Sequence, residues 1–167
     1  MSAGTGDAAG LGVRGGRRPL LVLASAAVAF SVLHHADHVV RGSHSGWPFG
    51  AAVTPFTYSL LIYALILPAI YLTARGRDVA GYHLFVAVGG LALLGFVHFV
   101  PVADHEAPIR DIYAAYGSAP AGLLALAVLA GLIMSVTALS VVALGWSGRD
   151  LGPRREAERC CMERSGC

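Results

Sequence analysis

The sequence predicts an all-α integral membrane protein, a four-helix bundle with short tails and both termini in the cytoplasm. Three observations carry that expectation. The 167-residue chain is 56% hydrophobic and 13% charged, with a mean hydropathy of +0.65. A soluble domain would carry about 25% charged residues. Four apolar runs are each ~20 residues or longer, enough to cross a hydrocarbon core of about 30 Å. Ten of the twelve arginines collect on one side of those runs: Arg14, Arg17, Arg18, Arg75, Arg77, Arg149, Arg154, Arg155, Arg159 and Arg164, against Arg41 and Arg110 on the other. Basic loops stay cytoplasmic, so this asymmetry predicts an N-in/C-in protein of the plasma (inner) membrane.

Residues 1–18 are rich in Gly, Ala and Arg and lack apolar periodicity, which predicts a flexible cytoplasmic tail. Arg17-Arg18 before an apolar run can also open a signal peptide. The small-residue site at Ala24-Ser25-Ala26 comes too early, however, and cleavage there would leave too short an apolar core. Residues 19–146 therefore read as a four-helix transmembrane domain.

Span one covers 19–40. Pro19 suits a first helical turn, where its missing N–H is not needed, and Gly42 is a natural stop. Trp47, in the following loop, belongs at headgroup level. Span two covers 55–74. Thr54 supplies a cap and Pro55 the first turn, and Pro68 predicts a kink. Span three covers 80–100, where Gly89, Gly90 and Gly95 would let a helix or a flat ligand approach closely. The loop 102–117 is the most polar interior segment, with Asp104, His105, Glu106, Arg110, Asp111, Tyr113 and Tyr116. Span four covers 120–144, with Ser118 as its cap and no ionisable residue inside it. Residues 147–167 form a C-terminal tail containing Cys160, Cys161 and Cys167. Its mixed Arg and Glu content points to lipid contact and away from nucleic acid.

The chemistry concentrates at the end of span one, in Leu33-His34-His35-Ala36-Asp37-His38-Val39-Val40-Arg41. At about 100° per residue, His34, Asp37, His38 and Arg41 share one helical face, and His35 points off it. The i, i+4 pair His34/His38 can reach a common point, as paired metal ligands on one helix do. His34 lies about 22 Å along span one from Pro19, and His98 about 27 Å along span three from Ala80. The predicted topology therefore brings six of the seven histidines to the outer half of the protein, leaving His83 near the cytoplasmic end.

Three readings follow. The leading one is a divalent transition metal, zinc, iron, copper or manganese, held by His34, His38 and His98. Asp37, Asp104 and His105 would complete or support the site, and Arg41 would orient a carboxylate or bind an anionic substrate. The alternative is haem b, with His34 or His38 and His98 as axial ligands, Gly95 making room, and Arg41 and Arg110 pairing with the propionates. The third is a non-catalytic accessory or assembly subunit, acting with a membrane-complex partner or as a homo-oligomer. In that case Asp37 and Arg41 simply satisfy each other. Histidine also titrates near neutrality, so an outer cluster could sense protons. The chain has no Walker, Gly-x-Ser-x-Gly or His-Glu-x-x-His motif.

Overall fold

The computed structural model describes residues 8–45, 47, 49–100 and 109–164, with side chains for 17–42, 44, 47, 49–100 and 112–147. The described residues are helical or irregular, with no strand. The order is α1 (Ala8–Arg41), a 3₁₀ turn (Gly42–Ser45), α2 (Pro55–Ser59), α3 (Leu61–Ala74), α4 (Ala80–Phe99), α5 (Ile109–Ala114) and α6 (Ala119–Arg164). Four stretches are long and apolar enough to cross a membrane: Arg17–Arg41, Pro55–Ala74, Ala80–Phe99 and Ala119–Ser147.

The boundaries follow local chemistry. Helix α1 ends where Gly42 adopts a φ of +55°, a left-handed conformation that side chains with a Cβ resist. Thr54 caps α2 in a reciprocal box: its hydroxyl accepts from the Thr57 N–H, and the Thr57 hydroxyl accepts from the Thr54 N–H at 2.7 Å. Helix α3 closes in a Schellman turn. Gly76 N–H donates to Thr73 O and Arg77 N–H to Leu72 O, both at 3.0 Å, with Gly76 at φ +82°.

The helices run beyond the expected spans, and one expectation, about the span-three glycines, needs correction. Helix α1 begins at Ala8, inside the stretch expected to be a flexible tail, and α6 continues to Arg164, well into the expected C-terminal tail. Adding residues to an existing helix is far easier than nucleating one, so a spanning helix extends into its flanks. Span two is divided at Leu60, between α2 and α3, and α3 runs unbroken through Pro68. Pro68 still leaves the Ala64 carbonyl without its helical donor, and Tyr82 on α4 donates to the neighbouring Leu65 carbonyl at 3.1 Å. Finally, close helix approach does not occur at Gly89, Gly90 or Gly95. A Cβ would meet open space at Gly89 and Gly95 and only Ile62 Cδ1 at 3.8 Å from Gly90. The tight contacts are on α6: a Cβ at Gly131 would stand 2.5 Å from the Phe30 ring of α1, and one at Gly122 would stand 2.8 Å from Tyr113 of α5.

Helix α6 packs against α1, α4 and α5, and α3 lies against α1 and α4. The core joins Leu20, Ala24 and Ala27 of α1 to Leu132, Val136, Leu139 and Ala143 of α6, with Ile66, Val86 and Ala87 completing it. Both rows step by three and four residues, as one face of a helix must. Outward faces of the spans remain apolar, with Val22, Val32, Phe85, Leu124, Met134 and Val141 all exposed. That pattern suits lipid surroundings, since soluble surfaces rarely show contiguous apolar area of this extent.

Candidate metal centre

The buried face of α1 runs Leu20, Ala24, Ala27, Ser31, His34, His38, Arg41. Steps of four and three alternate throughout; the chemistry changes. The apolar half of this row packs the core, and from Ser31 onward the same row carries polar groups. The candidate site is therefore the far end of the packing stripe, held in place by the core contacts of its near end.

Helix α4 brings His98 to that end. One ring nitrogen from each of His34, His38 and His98 lies within 4.8 Å of the others. The ring centroids are 4.8 Å apart for His34 and His38, 5.0 Å for His34 and His98, and 6.2 Å for His38 and His98. All three side chains are buried, none more than 5% exposed. His34 Nδ1, His38 Nδ1 and His98 Nε2 are buried without a hydrogen-bond partner among the described residues. Unpaired buried nitrogens are costly, and a metal ion is one group that can satisfy several at once.

His98 is oriented by its own helix. Its Nδ1 lies 3.0 Å from the Leu94 carbonyl. A carbonyl only accepts, so Nδ1 carries the proton and Nε2 presents its lone pair. Metal-bound histidines are commonly oriented by such a carbonyl. The Trp47 backbone hydrogen-bonds the His38 ring, and Phe56 packs beside it at a centroid distance of 5.1 Å. A cleft of about 370 Å³ opens along His34, His38, Trp47, Phe56 and His98.

Asp37 and Arg41 stand beside the three histidines. Arg41 Nε donates to Asp37 Oδ2 at 2.9 Å, and the Tyr116 hydroxyl donates to Asp37 Oδ1. Both carboxylate oxygens are thus engaged, and Asp37 is not one of the converging ligand groups found among the described residues. Burial, and then the hydrogen bond to Asp37, push the Tyr116 phenol up to about 12. The Arg41 side chain is fully buried, yet Nη1 and Nη2 have no partner among the described residues. Its charge acts on His34, His38 and His98 alike.

His35 does point away from the histidine face, as its helical position requires, but it enters a second polar group. Its Nδ1 lies 2.8 Å from both the Ser31 carbonyl and the Tyr63 hydroxyl, and its Nε2 lies 2.8 Å from Ser59 Oγ. Ser59 and Tyr63 are themselves four apart on span two, a signal the sequence holds but periodicity alone does not link to His35. His83, expected near the cytoplasmic end of span three, is wholly buried, with Nε2 2.8 Å from the Thr73 hydroxyl. It ties α4 to α3 and lies apart from the cluster.

Asp104 and His105 lie outside the described residues, as does Cys167. Arg110 lies on α5, and Cys160 and Cys161 lie on α6, all beyond the residues whose side chains are described. Comparison with protein-family models, with curated proteins and with solved structures finds no match to this chain.

Three imidazoles form a donor set that suits zinc, iron, copper(II) or manganese. At a Zn–N length of about 2.0–2.1 Å, tetrahedral ligands stand about 3.4 Å apart, so loading draws the rings closer than they lie here. Haem fits less well. Two axial imidazoles must face each other across a macrocycle, whereas the His34 and His98 rings lie 5.0 Å apart in direct contact, with His38 against His34.

Proposed function

We propose that the protein is a small polytopic membrane protein whose His34, His38 and His98 hold a divalent transition metal near the extracytoplasmic face. The reading rests on one observation: three buried ring nitrogens from α1 and α4 converge without hydrogen-bond partners among the described residues. The asymmetry of the arginines supports an N-in/C-in arrangement of a four-helix bundle, with the cluster on the outward side. With three protein ligands, a tetrahedral ion keeps an open position, where it supplies Lewis acidity.

The surrounding residues have separable roles in this reading. Leu94 O and the Trp47 backbone orient the His98 and His38 rings. Asp37, fixed by Tyr116, offsets the Arg41 charge that would otherwise oppose a cation. The Nη edge of Arg41 then faces an anionic group sharing the site, as guanidinium forks do for carboxylates.

Calorimetric titration of metal-free protein with zinc or cobalt(II) chloride tests the proposal. Wild-type protein should bind about one ion per chain, and His98→Ala should weaken binding by at least about 100-fold, the upper range for loss of a mere outer partner. Equal binding by wild type and His98→Ala would contradict it.

A further inference from the structure

At the opposite end of the first apolar span from the histidines, a cleft is lined by Arg17, Leu20, Thr73, Arg77, Asp78 and Trp146, among others. It is assembled from four places in the chain. Arg17 and Leu20 come from α1, Thr73 from α3, Arg77 and Asp78 from the α3–α4 turn, and Trp146 from α6. Each contributor sits at the boundary of an apolar stretch: Arg17 begins the first, the turn separates the second from the third, and Trp146 lies beside the last residue of the fourth. All of them therefore share one bilayer level, that of the headgroups, whichever side of the membrane this is.

The basic groups are held there by backbone design. The Schellman turn places Arg77 one residue after Gly76. Arg17 Nη1 lies 3.0 Å from where a Gly76 Cβ would stand, so the absent side chain lets the guanidinium lie across the turn. Asp78 Oδ1 accepts from the Ala80 N–H at 3.2 Å, which ties the carboxylate to the start of α4. Among the described lining residues, two guanidiniums and one carboxylate sum to a formal charge of +1. Leu20, Val79 and the Trp146 indole supply its apolar walls.

We propose that this cleft seats the headgroup of an anionic phospholipid. A phosphodiester carries one negative charge, which matches the cleft's net charge. Guanidinium forks match its oxygens in geometry, and interfacial tryptophan suits the glycerol level above the acyl chains. Basic pockets between membrane helices bind acidic lipid headgroups in this way. The proposal is independent of the metal site.

Native mass spectrometry of the detergent-purified full chain tests it, with equal amounts of palmitoyl-oleoyl-phosphatidylglycerol and palmitoyl-oleoyl-phosphatidylcholine added. The wild-type chain should retain one phosphatidylglycerol in preference to phosphatidylcholine. Arg17→Gln with Arg77→Gln should weaken that adduct by about 25-fold, as expected for losing two headgroup-level arginines. Arg18→Gln with Arg75→Gln removes the same charge from side chains that do not line the cleft and should leave the adduct intact. Excess inorganic phosphate should not displace the lipid. Equal retention of the two lipids, full retention by the Arg17/Arg77 variant, equal loss in both double variants, or displacement by inorganic phosphate would each overturn the proposal. The wild-type comparison needs no substitution, and Arg77→Gln alone changes only an exposed side chain, so a folding failure of the double variant leaves the test decisive.

Discussion

Tyr116 and Asp37 are 79 positions apart in sequence, and the Tyr116 hydroxyl donates to Asp37 Oδ1. This bond joins the segment between α5 and α6 to the buried face of α1. With Arg41 on Oδ2, it leaves the carboxylate no rotational freedom. Removing the two partners should have unequal effects. Tyr116→Phe loses one charge-assisted hydrogen bond at a half-buried position and should cost about 1 kcal/mol. Asp37→Ala strands a buried guanidinium and should cost about 3–5 kcal/mol. Thermal unfolding in detergent measures both, and equal small losses would mean that the Arg41 charge is hydrated.

The Tyr116 phenol also predicts an alkaline transition. Its folded value of about 12 lies above the ordinary 10.0. Folding therefore favours the neutral phenol. That contribution is fully present below pH 10 and is lost as the pH rises from 10 towards 12. The wild-type minus Tyr116→Phe difference in tyrosinate absorbance should titrate near the upper value. A difference titrating at 10 would show that the phenol is not held by Asp37.

Thr73→Val separates the two buried histidine systems. It leaves His83 Nε2 without its 2.8 Å partner and should destabilise the protein by about 1–3 kcal/mol. Metal binding at the far end of α4 should not change. A parallel loss of metal affinity would show that the α3–α4 contact positions His98.

Gly131→Ala probes the α1–α6 contact. The added methyl group would stand 2.5 Å from the Phe30 ring, and such overpacking typically costs about 1–3 kcal/mol. Gly89→Ala, whose Cβ would meet open space, should be neutral or slightly stabilising because alanine favours the helix. Thermal unfolding of the pair distinguishes a packing contact from a general effect of glycine.

Some of this is legible in the sequence for clear reasons. Apolar length exposes four spans, because the bilayer imposes that length. The i, i+4 spacing of His34 and His38 is local geometry, and His98 reaches the same level through rise per residue and chain direction. Partners from other helices are harder to see. Ser59 and Tyr63 meet His35 only because α2 and α3 pack against α1, and nothing periodic marks that face. Tyr116 reaches Asp37 through a connection that has no repeat to read. His83 resembles any interfacial histidine until Thr73 is placed beside it. Gly131 matters, and Gly89 does not, because only one of them faces another helix.

Whether His34, His38 and His98 hold one transition-metal ion is read by elemental analysis of purified protein beside His34→Ala/His38→Ala. The wild-type chain should carry about one zinc, copper, manganese or non-haem iron, and the double variant almost none, with both folded by circular dichroism. A wild-type chain that stays metal-free after equilibration with these ions, or a double variant that keeps the full complement, would contradict it.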